Sequence, residues 1–145
     1  MTTASGHQRI VVGIDGSPEA AAALSWAIDE ARMRGVGLRV LYIFPAMVGF
    51  FGATAHEYFP QVEKEANKTF EEALAAAPPM DDLDVQRRIE PGNPSAALVE
   101  ESRNALMLVL GSRGRGAFRE MLLGSVSMHC AHHAHCPVVI IRHDS

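Results

Sequence analysis

Two short segments carry the residues best suited to chemistry. Gly111-Ser112-Arg113-Gly114-Arg115-Gly116 sets three glycines among two arginines directly after an apolar run, and Gly124-Ser125-Val126-Ser127 follows Gly114 after nine intervening residues. Glycines let a backbone adopt positive φ and bring its N–H groups close to an anion. A helix opening at Ser125 turns unpaired N–H groups, the positive end of its dipole and two hydroxyls toward one place. Arg113, Arg115 and Arg119 add positive charge to a chain whose formal net charge is −4. Together these groups suit a phosphate. The same composition also fits a plain glycine loop with solvated arginines, so position in the fold has to decide.

Asp15 ends the first apolar run, in Gly13-Ile14-Asp15-Gly16-Ser17-Pro18. A carboxylate there can accept ribose hydroxyls or help hold Mg2+ on phosphates, because magnesium needs only one or two carboxylates. It also fits an Asx turn closing a strand. His129 and His133 share a helix face at i,i+4, a spacing used by metal sites, but such a site needs a third ligand and a formed cavity. Histidines near a helix C-terminus also suit its dipole. No metal site is expected.

The elements that must position these groups are legible as alternating strands and helices. Arg9 to Asp15 is short and β-branched, as a strand covered on both faces requires. Ser17 and Pro18 then read as N-cap and first turn of a helix with Ala20, Leu24, Ala27, Ile28 and Ala31 on one face, and Gly35 ends it. Leu38 to Phe44 is the second strand, followed by a long loop, Pro45 to Pro60, and a helix over Gln61 to Ala77. Leu83, Val85 and Ile89 alternate with polar residues, with Arg87 in phase with them, which marks a sheet edge. Glu90-Pro91-Gly92-Asn93-Pro94 reads as a turn opening a helix to Asn104. Leu106 to Leu110 is the most uniformly apolar strand and belongs at the centre; a helix from Ser125 to Ala134 and a strand from Val138 to Ile141 follow.

Five strands alternating with helices imply an α/β fold: an open, five-stranded parallel sheet, order 3-2-1-4-5, with helices on both faces in the Rossmann-like manner. In that order the switch point, where such sheets bind ligands, lies between the ends of strands 1 and 4. Asp15 and Gly111 stand there. The 145 residues make one domain, expected over residues 9–143 after a flexible tail at 1–8. The acidic balance, 13 Lys+Arg against 17 Asp+Glu, argues against nucleic-acid binding. No apolar run reaches the roughly 18–20 residues of a membrane helix, and the small polar start has no apolar core of a secretory signal. A cytoplasmic protein is expected. The two cysteines form no CxxC pair.

The P-loop pattern GxxxxGK[ST] is absent, since no Gly-Lys pair occurs, and GxGxxG is missing after the first strand. What stands instead is Gly111-x-x-Gly114, nine residues, then Gly124-Ser125. With Gly-Ile-Asp-Gly-Ser at the first strand, Gly92-Asn93-Pro94 before the third helix and Cys136-Pro137-Val138-Val139 in the last strand, this resembles the ATP-binding branch of the universal stress proteins. The resemblance covers nearly the whole chain. It implies an adenine-nucleotide-binding domain that binds ATP, forms dimers and acts in stress adaptation; a regulatory homodimer holding ATP, with Mg2+ at Asp15, is the expected function. By position it implies that Gly13 and Asp15 line the nucleotide, that the backbone of Ile43 meets the adenine edge, and that Gly111, Gly114, Gly124, Ser125 and Val126 wrap the phosphates; Ser112, Arg113, Arg115 and Gly116 of the same loop complete the expected binding residues. A slow ATPase using the same site is the alternative. A phospho-acceptor receiver domain is excluded: strand 3 ends at Ile89-Glu90, and the only lysines are Lys64 and Lys68. The short apolar strand Val138 to Ile141, at a sheet edge, is the expected dimer contact.

Overall fold

In the computed structural model, which describes residues 9–45, 53–114 and 122–143, the strands are Arg9–Gly13 (β1), Gly37–Phe44 (β2), Val85–Pro91 (β3), Met107–Gly111 (β4) and Val138–Ile141 (β5). They pair in the order β3-β2-β1-β4-β5, every pairing parallel. The helices are Pro18–Arg34 (α1), Ala53–Ala76 (α2), Pro94–Glu101 (α3) and Ser125–His133 (α4). Alternate residues of each strand face opposite sides, which splits the interior into two cores. Ile10, Val12, Val40, Tyr42 and Val109 face α1 and α2, where Leu24, Ile28, Phe70 and Leu74 complete the packing. Val11, Leu41, Ile43, Leu108 and Leu110 face the other way, toward Leu98 of α3 and Cys130 of α4.

Local chemistry sets the helix ends. The Ser17 side chain accepts the Ala20 N–H at 3.1 Å, Pro18 occupies the first turn, and Gly35 closes α1 at φ 68°, a conformation that favours glycine. Small residues on the buried face of α1 (Ala20, Ala23, Ala27 and Ala31) let it lie close against the sheet. Asn93 Oδ1 accepts the Ala96 N–H at 3.0 Å and starts α3. That helix is shorter than the sequence suggests: it tightens into a 3-10 turn at Ser102–Asn104, where Ser102 Oγ donates to the Val99 carbonyl.

Two further expectations are corrected. The segment Pro45–Pro60 is not loop throughout, because α2 already begins at Ala53 and runs through Pro60. An interior proline forfeits one helical hydrogen bond at a cost of roughly 3 kcal/mol, which is why it reads as a boundary. Its fixed φ is nevertheless helical, and no glycine stands between Ala53 and Pro60. Residues 46–52 lie outside the described residues, as does the expected tail at 1–8. Glu90 and Pro91 belong to β3, pairing with Ile43 and Phe44, so the turn begins at Gly92. Proline is tolerated there because β3 is an edge strand at its last residue.

Candidate functional site

β1 and β4 are neighbours whose connections leave in opposite directions, so the carboxyl end of the sheet opens between them. A cleft of ≈ 530 Å³ occupies this place, within the range of small-molecule sites. Its floor is apolar, built from Leu41, Ile43, Leu98 and Leu110, with Pro45 and Pro94 at the margin. Gly13, Asp15, Gly111, Arg113, Gly114 and the first turn of α4 also line it. The lining therefore combines apolar surface suited to a flat ring with groups suited to an anion.

The glycine loop rests on close backbone approach, not on positive φ. Among the described residues positive φ occurs only at Gly16, Gly35 and Gly92, so the loop glycines have another reason to be glycine. A Cβ on Gly114 would lie 2.6 Å from Asp15 Oδ2, and one on Gly111 would lie 2.7 Å from the Glu19 carbonyl carbon. One on Gly124 would meet Arg113 Cα and the Gly114 nitrogen, both at 3.3 Å. Gly124 N–H donates to the Ser112 carbonyl at 2.7 Å, which folds the two arms of the loop together. Gly124 is also the N-cap of α4 at φ −75°, with no side-chain cap hydrogen bond. The first-turn N–H groups of this helix thus face the cleft without competition from a capping side chain.

The two hydroxyls part company. Both line the cleft, but Ser125 is exposed at the helix start, whereas Ser127 is buried and donates to the Gly111 carbonyl at 2.6 Å. Ser127 therefore ties α4 to the end of β4. Asp15 Oδ1 accepts the Ser17 N–H at 2.9 Å, which is the expected Asx turn, while Oδ2 lies beside Gly114. Arg113 lines the cleft, but Nη2 donates to Glu19 Oε2 at 3.1 Å. Nothing in the spacing announced that partner, which stands 94 positions away.

Of the residues singled out in the sequence, Gly13, Asp15, Ile43, Gly111, Arg113, Gly114, Ser125 and Val126 converge on the cleft. Ser112 is buried behind it: its N–H donates to the Ile141 carbonyl at 2.8 Å and its carbonyl takes Gly124, so it braces the loop. Gly124 stands behind the loop as the helix cap. Arg115 and Gly116, with Arg119, lie outside the described residues. Sequence reasoning missed the apolar floor from α3, although Pro94 and Leu98, one turn apart after a capped start, face inward together. The histidines approach one another, with the rings of His129 and His133 4.6 Å apart, but among the described residues no three ligating groups gather. Both thiols are free. Burial pushes the Cys130 thiol up to about 11 and raises that of Cys136, so neither is an activated nucleophile.

A sequence model described as the Universal stress protein family matches residues 6–142. The chain belongs to the universal stress protein family. A universal stress protein of Mycolicibacterium smegmatis is 38% identical over 133 residues, covering 92% of this chain and 45% of the relative. Universal stress protein Rv2005c of Mycobacterium tuberculosis is 37% identical over 139 residues, covering 94% of this chain and 46% of its own length. The chain thus spans about half the length of the curated relatives it matches. Among solved structures, the protein MJ0577 superposes with a TM-score of 0.80 at 20% identity, over 96% of this chain and 98% of that one. A universal stress protein in complex with cAMP superposes at 0.59 with 28% identity, over 96% and 98%. The order β3-β2-β1-β4-β5 is thus the universal stress protein fold.

Proposed function

We propose that the protein is a regulatory member of its family that binds ATP, with Mg2+, between the ends of β1 and β4 and passes its occupancy to a partner in stress adaptation. One observation carries the reading: a helix N-terminus without a side-chain cap, a close-packed glycine loop and Arg113 line one cleft together with the apolar Leu41, Ile43, Leu98 and Leu110. The adenine would lie on Leu41, Ile43 and Leu98, its edge against the Ile43 backbone. Ribose would meet Gly13 and Asp15. The phosphates would follow Gly111, Gly114 and the amides of Ser125 and Val126. Asp15 is the carboxylate that would share Mg2+ with the phosphates, and the ion would neutralise part of their charge. The universal stress protein in complex with cAMP, 28% identical, supports an adenine nucleotide as the ligand class.

Binding is favoured over turnover. Asp15 is the one carboxylate lining the cleft among the described residues, and its Oδ1 is engaged by the Ser17 N–H. No other described lining residue is placed to activate a water for in-line attack. We further propose a cytoplasmic homodimer joined through β5. The carbonyls of Pro137 and Ile141 accept from Leu108 and Ser112, so by alternation the Ile140 N–H points to the open edge. A second β5 across a two-fold axis would pair both edges at once.

Denaturing the purified protein and identifying any released nucleotide by mass tests the reading, together with calorimetry against added ATP. Adenine nucleotide in the released fraction and micromolar binding are expected. An empty protein that ignores ATP defeats it. Single-turnover hydrolysis of about 1 s⁻¹ or faster would promote the ATPase instead.

A further inference from the structure

The Arg113–Glu19 pair differs from the ion pairs that decorate the outside of the molecule. The Arg113 and Glu19 side chains are 24% and 13% exposed, against 43% and 56% for Arg32 and Asp82. The pair joins the first turn of α1 to the loop after β4. The backbones are already in contact there, since a Cβ on Gly111 would meet the Glu19 carbonyl carbon, carbonyl oxygen and Cβ at 2.7–2.8 Å. Glu19 is thereby held where it reaches Arg113, and Arg113 in turn lines the cleft. Screening by salt is weaker for a half-buried pair than for one in open solvent. A guanidinium serves carboxylate and phosphate with the same planar fork of donors, so the two compete for it.

Resting on the ATP reading above, we infer that Glu19 sets the sensitivity of the cleft to phosphate number by competing with the outer phosphates for Arg113. The first phosphate of a nucleotide is met by the amides of α4 and the glycine loop, and needs nothing from Arg113. A second and third phosphate extend along the loop toward the guanidinium and must draw it from Glu19. Glu19 is then left half-buried with its charge less well met, which holds back affinity for the triphosphate but not for the monophosphate. Glu19 is a positioning residue: it acts on the nucleotide through Arg113.

The test is calorimetry of the full chain with ATP and separately with AMP, for wild type, Glu19→Gln, Arg113→Ala and the double variant. Glu19→Gln keeps the shape and removes the charge. It should tighten ATP about tenfold, the lower end of what one charge-assisted hydrogen bond is worth, and change AMP less than twofold. In the Arg113→Ala background the same substitution should change ATP less than twofold. Glu19→Asp, which keeps the charge but draws it back, should tighten ATP by an intermediate amount and guards against a fold defect in the glutamine variant. Equal shifts for ATP and AMP, no shift, or weaker ATP binding in Glu19→Gln would overturn the role of Glu19 and leave the nucleotide site standing. A wild type that binds neither nucleotide would overturn the ATP reading and this one with it.

Discussion

Substituting alanine at Gly114 and at Gly111, one at a time, separates ligand binding from folding. Each adds a single methyl, yet the methyls meet different things. At Gly114 the new Cβ would lie 2.6 Å from Asp15 Oδ2, the far end of a side chain that can rotate. Positive φ is not required at Gly114, so the backbone tolerates the change. The cost to folding is then the hydrogen bond from the Ser17 N–H to Asp15, at most about 1.5–3 kcal/mol and less if water replaces it. The cost to binding is larger, because Asp15 leaves its place and the methyl occupies the path of a phosphate. At Gly111 the Cβ would lie 2.7 Å from the Glu19 carbonyl carbon, about 1 Å inside the 3.5–4.0 Å at which carbon atoms rest. That atom is backbone at the start of α1 and cannot rotate away. Overpacking of this kind costs roughly 1–3 kcal/mol, which lowers Tm by about 3–10 °C for a chain of this length. Scanning fluorimetry and ATP calorimetry on the two variants read the difference. Gly114→Ala should lose at least about tenfold in ATP affinity with Tm within about 3 °C of wild type, and Gly111→Ala should melt early. Wild-type ATP affinity in Gly114→Ala, or a wild-type melt in Gly111→Ala, would refute the reasoning.

Gly124→Val should also abolish ATP binding by calorimetry, because its side chain meets the Arg113–Gly114 backbone and pushes the loop from α4. Ser127→Ala leaves the Gly111 carbonyl without its donor, at about 1–3 kcal/mol, so thermal melts should fall by about 3–10 °C. Burial keeps Cys130 protonated in the folded chain, its pKa raised to about 11. Alkylation of the native protein by iodoacetamide should therefore be slow at pH 7 and rise with pH. The unfolded thiol ionises first, near its ordinary value of about 8.5, so the same shift subtracts stability as pH rises toward 11; denaturant midpoints that climb over that interval would contradict it. Ile140→Pro removes an N–H on the open side of β5 while sparing the β4 ladder, so it should shift the sedimentation of the proposed dimer toward the 15.7 kDa monomer without unfolding it.

Sheet order was legible because two strands declared their places. Arg87, in phase with Val85 and Ile89, marked β3 as an edge, and the unbroken run from Leu106 to Leu110 marked β4 as central; the switch point followed. Caps were equally plain, since Ser17-Pro18, Asn93-Pro94 and Gly35 act through bonds a few residues long. What sequence could not show was set by contacts distant along the chain. Arg113 reads as a phosphate ligand until α1 brings Glu19 beside it. The loop glycines read as turn formers, while in the fold they are glycine because neighbours crowd the site of a Cβ. The start of α2 was hidden by Pro60, whose local signal to end a helix was overruled by the helix continuing through it.

The two rims of the sheet are unlike, and the difference bears on how far strand-to-strand growth can go. Along β3, Arg87 and Arg88 are held to Glu71, Glu90 and Glu101, a charged border that another strand would have to strip of its partners. Along β5 stand only valine and isoleucine, all half-buried. A chain with two receptive rims could add copies without end and run into a fibre. Here the β3 rim is bordered by charge, so the proposed pairing of β5 with β5 would use up the receptive border among the described residues and would stop self-association at two.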